Sequence, residues 1–151
     1  MDQAADSIST FKKLDQLHWE IMRFLWSTPN KGKEHPYRLK HLRPIQENIV
    51  EAVATGQYVL FRDDKGDIEH FIAYWKVREE DIELIREGIK PFDRCHGDKL
   101  YIVEHGNKGG RKSFVRMCKA LKEVARGNTG VFWHSWNRHK FMVFKNKKGV
   151  E

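Results

Sequence analysis

The chain has 151 residues, 40% of them hydrophobic and 12% aromatic, which suits a single domain over 1–151 with a real core and excludes a disordered tail. Two cysteines, Cys95 and Cys118, and no CxxC pair speak against a disulfide framework or a metal site. With no basic-then-apolar leader in MDQAADSIST and no long apolar run, a cytoplasmic protein without a membrane span is expected. The formal charge of +7 fits an anionic partner (nucleic acid, an acidic protein or a phosphate-bearing cofactor) or a merely solvated basic surface.

Residues 1–9 are small and polar and read as a frayed end. Phe11, Leu14, Leu17, His18, Ile21, Phe24 and Leu25 recur at helical spacing, so a helix is predicted from Thr10 to Leu25, capped by Ser9 or Thr10. The segment STPNKGKEHPY reads as a loop. A second helix is predicted from Arg43 to Thr55, with a stripe of Ile45, Ile49, Val50 and Val53 and a stop at Gly56. QYVLFRDD and IEHFIAYWKV read as two strands joined by a tight turn around Lys65-Gly66-Asp67. A short helix, Glu79 to Glu87, follows. KLYIVEH is a strand whose apolar run predicts burial on both faces. After GNKGGRKS comes a helix from Phe114 to Arg126 with Phe114, Val115, Cys118, Leu121, Val124 and Ala125 inward. GVFWHSW and KFMVFK are the last strands. The order implies an α+β fold, a mixed and mostly antiparallel sheet flanked by helices, with one βαβ crossover.

YIVEHGNKGGRKSF is the segment richest in chemistry: a strand runs into a glycine-rich, basic loop that opens a helix. Free N–H groups at a helix start attract phosphate oxygens, and glycine lets the backbone approach closely. Gly106, Lys108, Gly109, Gly110, Arg111, Lys112 and Ser113 are therefore candidate cofactor-binding residues, with Ser113 as a cap and hydroxyl donor. The spacing matches neither a nucleotide P-loop nor a dinucleotide fingerprint, and a coenzyme A pyrophosphate is a suitable ligand. The same letters also describe an ordinary basic βα turn. Glu104 and His105 end the strand, where ligands gather in open sheets, and a carboxylate beside an imidazole can take a proton from an amine. His35, in the loop after the first helix, is a further candidate base. His18 reads as a core or interface residue. Adjacent Cys95 and His96 do not make a metal site. WHSWNRHKFMVFKNKKG interleaves aromatics with cations, which suits either single-stranded nucleic acid or a final hairpin with a basic tail.

Three stretches, FLWSTP, GQYVLFRDDKGDIEHFIAYWKV and GDKLYIVEHG, together span roughly Leu25 to Gly110. Through them the chain resembles the toxin-activating lysine acyltransferases, which share the fold of the Gcn5-related N-acetyltransferases. The resemblance implies an N-acetyltransferase-like fold. It implies transfer of an acyl group from an acyl-CoA or acyl carrier protein thioester to an amine, the acceptor being a lysine of a protein substrate. Glu104 falls at the family's aspartate position, and His35 is the histidine nearest the family's own, three residues beyond its spacing from Trp26. GNKGG replaces the family's Ala-Pro-Phe-Gly. The alternative reading is a non-catalytic, basic binding protein on the same fold, acting on nucleic acid or an acidic host protein.

Overall fold

A computed structural model describes residues 3–27, 42–125, 130–135 and 140–144, with side chains described for 7–27 and 42–125. The elements are α1 (Gln3–Ser27), α2 (Leu42–Thr55), β1 (Tyr58–Arg62), β2 (Ile68–Val77), α3 (Glu79–Arg86), β3 (Lys99–Asn107), α4 (Gly110–Val124), β4 (Gly130–Ser135) and β5 (Lys140–Phe144). The five strands lie in sequence order in one sheet. Every pairing is antiparallel except the parallel β3–β4 pair. The α4 crossover between those two strands is the βαβ unit, and the architecture is the expected α+β fold with a mixed sheet flanked by helices.

The helices divide between the two faces. Ile21, Met22, Phe24 and Leu25 of α1 and Ile45, Ile49, Ala52 and Val53 of α2 pack on Phe71 and Ala73 of β2. Ile82 of α3 joins the same face against Trp75 and Val77. On the opposite face, Val124 of α4 and the adjoining Ala125 cover Tyr74, Leu100 and Ile102. β2 is covered on both sides: Ile68, Phe71, Ile72, Ala73, Tyr74, Trp75 and Val77 are all buried. Buried aliphatic and aromatic area of this kind is the main force for folding.

Several predicted details shift. α1 begins at Gln3, so neither Ser9 nor Thr10 is its N-cap and 3–9 are helical. The apolar stripe marks only the part of a helix that touches the core; a polar turn of good helix formers continues the same hydrogen bonding into solvent. Phe11 accordingly lies outside the core, 70% exposed. On α2, Val50 faces solvent and Ala52 is buried in its place. α4 starts at Gly110, four residues before the expected Phe114, and its inner face carries Ser113 and Met117, while Phe114 and Val115 are exposed. The inward face is set about Ser113, whose hydroxyl shares a hydrogen bond with His70 of β2. β3 is less buried than its apolar run suggests: Leu100 is fully buried, whereas Tyr101, Ile102 and Val103 are half-buried.

Candidate functional site

Two bulges shape the end of β3. Between β1 and β2 the register runs Phe61↔His70 and then Arg62↔Ile68, leaving Glu69 as the extra residue. A bulged residue drops out of the ladder and frees its backbone groups. The Glu69 carbonyl accepts the N–H groups of Lys108 (2.7 Å) and Gly109 (3.2 Å), pinning the β3–α4 turn over β2. The second bulge is in β3, where Ala73 faces Glu104 and Tyr74 faces Ile102, so Val103 is the extra residue. Pairing with β4 ends at the same point: its last partners are Ile102 and Trp133, although β3 continues to Asn107 and β4 to Ser135. Beyond Ile102 no further pairing joins the two strands among the described residues, and the first turn of α4 follows at the far end of β3.

Glu104 and His105 sit on opposite faces of the sheet, because successive side chains alternate. The expected carboxylate–imidazole pair is therefore not formed by these neighbours. Glu104 is 8% exposed on the α1–α2 face, and its Oε1 accepts a hydrogen bond from Asn48 Nδ2 of α2 at 3.1 Å. Lys90 reaches the Oδ1 of the same Asn48 at 3.5 Å. Tyr101 belongs to this face too. Burial and then the Glu104 charge push its phenol above the usual tyrosine range, which keeps it a proton donor.

His105 faces α4, where its Nε2 lies 3.0 Å from Nε2 of His70 on β2. His70 has no exposure, and its Nδ1 lies 3.2 Å from the Ser113 hydroxyl of α4. Burial, followed by the charge on His105, lowers the His70 pKa to about 4, with the Ser113 contact acting the other way. Desolvation lowers His105 as well. A neutral imidazole has one donor and one acceptor nitrogen. Ser113, His70 and His105 thus form a chain in which the hydrogen on one bond dictates the sense of the other.

The candidate phosphate loop is shorter than expected. Gly106 is buried within β3 opposite Phe71. Lys108 points back across the turn: its Nζ donates to Ser27 Oγ at 2.5 Å and lies 5.7 Å from the centre of the Phe24 ring. Gly109 is the N-cap of α4, with its N–H also donated to Asn107 Oδ1 at 2.9 Å. Ser113 is therefore not the cap, and it is 2% exposed beneath Gly109. A Cβ on Gly109 would meet Ser113 Cβ at 2.4 Å and Oγ at 2.7 Å. The groups that remain to meet an anion are the first-turn amides of α4 at Gly110, Arg111 and Lys112, together with the exposed Arg111 and Lys112 side chains.

His35 lies outside the described residues, as does the structure of WHSWNRHKFMVFKNKKG apart from the backbones of β4 and β5. Among the described residues, no group of three or more histidines, cysteines or acids is placed to hold a metal, and no helix is long and apolar enough to cross a membrane. His70, Asn48 and Tyr101 are the site residues that sequence reasoning missed. None of the three left a signal in the spacing: Tyr101, three positions before Glu104, shares its face only because Val103 is an extra residue in the strand. No protein-family model matches this chain, and no curated protein matches it.

Proposed function

We propose that the protein is an N-acyltransferase that moves an acyl group from a coenzyme A or carrier-protein thioester to an amine, a protein lysine being the acceptor class. The observation that supports this most is the end of the β3–β4 pairing at Ile102 and Trp133, with the α4 N-terminus at the end of β3. Where the ladder between two parallel strands ends, a pantetheine arm, itself two amides long, can continue it along the strand edge as a further strand would. Its pyrophosphate then reaches the amides of Gly110–Lys112 and the side chains of Arg111 and Lys112.

In this reading Glu104 is the base. Asn48 fixes one carboxylate oxygen, and the other takes the proton of the attacking amine. The amine nitrogen bonds to the thioester carbonyl carbon, main-chain N–H groups near the Val103 bulge stabilise the oxyanion, and the C–S bond breaks. Tyr101, kept protonated, supplies a proton to the departing thiolate. His35 is assigned the same work as Glu104 by the family resemblance and is to be tested beside it.

The test is thermal unfolding with acetyl-CoA, free CoA, a long-chain acyl-CoA or an acyl carrier protein thioester, followed by release of free thiol in the presence of a lysine-bearing peptide. A ligand bound only by the native state raises the midpoint. A rise lost in Arg111→Ala and Lys112→Ala supports the site. Thiol release that falls by about a hundredfold or more in Glu104→Gln while the midpoint rise persists supports the base. No rise with any of the four ligands sinks the proposal.

A further inference from the structure

We infer that the groove between the outer edge of β1 and α4 takes an extended, acidic peptide segment, added to the sheet as a further strand. β1 is the terminal strand, and among the described residues nothing pairs on its outer side. Tyr74 N–H donates to the Gln57 carbonyl at 3.1 Å. Antiparallel alternation then turns the main-chain groups of Val59 and Phe61 inward and those of Tyr58 and Leu60 outward. Such an edge is a template for another chain.

The groove beside that edge has a volume of about 500 Å³ and is lined by Phe61, Arg116, Lys119, Ala120, Lys122 and Glu123. Three cations face one carboxylate. Arg116 stacks 4.3 Å from the Phe61 ring centre and is 3.3 Å from Glu69, so its charge is partly answered already. Lys119 and Lys122 are exposed, and neither has an ion-pair partner among the described residues. A strand laid on β1 sends alternate side chains to the α4 side. Acidic residues at every second position would meet Lys119 and Lys122 while the peptide backbone bonds to Tyr58 and Leu60. A nucleic-acid strand would use the cations and Phe61 but has no groups to match the row of main-chain donors and acceptors, so the edge decides for a peptide.

The probe is a fluorescein-labelled octapeptide of alternating Thr and Glu, titrated onto the full chain by anisotropy, with amide shifts followed by NMR. Its Thr–Lys counterpart, its backbone N-methylated form and an octathymidylate of the same label serve as controls. Binding confined to the Thr–Glu peptide is expected. Shifts should centre on Tyr58 to Arg62 and on α4, and affinity should fall by about tenfold or more in Lys119→Glu/Lys122→Glu. Absence of binding up to about millimolar peptide overturns the inference. So does binding that survives N-methylation or the double charge reversal, or tighter binding of the octathymidylate. Both lysines are exposed and lie away from Arg111 and Lys112, so the double variant keeps any response to acyl-CoA, and failure here leaves the acyltransferase reading standing.

Discussion

His70 has no solvent exposure, and both of its ring nitrogens are engaged. It folds neutral, with its pKa lowered from 6.5 to about 4. The unfolded chain therefore binds this proton first as the pH falls. The stability it contributes is complete above the unfolded value and is lost as the pH drops from about 6.5 toward 4. The loss amounts to at most about 3 kcal/mol. In His70→Gln, which cannot titrate, urea midpoints measured at about pH 7.5 and about pH 5 should differ less than in the wild type. An equal difference would mean that other groups govern the acid limb. His70→Ala removes the ring as well and leaves Ser113 without its partner, so a loss of about 2–4 kcal/mol is expected by the same measurement. None of this was visible in IEHFIAYW, where the histidine occupies one slot of an apolar run. Its partners lie 35 and 43 positions away, and only the folded sheet brings them together. Glu104 and His105 were legible as polar residues at a strand end. Their separation onto two faces follows from strand periodicity, but Asn48, one residue before the buried Ile49, carried no mark of its role.

The hairpin of β1 and β2, the start of β3 and the middle of α1 and α2 could be read from the sequence because alternation and helical stripes report directly on a buried face. The ends could not. The strand–loop–helix unit was read with a long glycine loop, whereas β3 runs to Asn107 and α4 opens at Gly110, because the Glu69 carbonyl continues the hydrogen bonding where the sequence shows only glycine and charge. The two glycines of that turn differ in kind. Gly110 has φ +73° and open space around it, so Gly110→Ala pays only for the left-handed backbone, about 1 kcal/mol. Gly109→Ala drives a methyl into Ser113 and must push α4 off His70, costing about 1–3 kcal/mol. Thermal midpoints should rank wild type above Gly110→Ala above Gly109→Ala. Gly109→Ala alone should also change the ring signals of His70 and His105 in NMR.

At the scale of the sheet, β2 lies between β1 and β3 with helices on both faces, and among the described residues it holds the largest share of fully buried side chains. Native-state hydrogen exchange should be slowest at His70–Trp75, near the global unfolding limit, and much faster in the first turns of α1, where Ile8 and Phe11 are exposed. The net charge of +7 makes the folded chain repel itself. Raising sodium chloride from about 0.05 to 0.5 M should therefore raise the thermal midpoint, since the Debye length falls below the spacing of surface cations. A midpoint that falls with salt would show that ion pairs such as Arg94–Glu51, at 2.6 Å, outweigh the repulsion.

The extra residue in β3 also sets a parity. Counting back from Ile102, which faces α4, an unbroken ladder would turn Glu104 toward α4 and His105 toward α1 and α2. Val103 restores the opposite assignment by letting two consecutive residues share one side. Excising Val103, as distinct from replacing it, straightens the strand and leaves both polar residues where they are. Such a shortened chain is a control that no point substitution provides: the same chemical groups on the same faces, with the bulge and its main-chain groups removed.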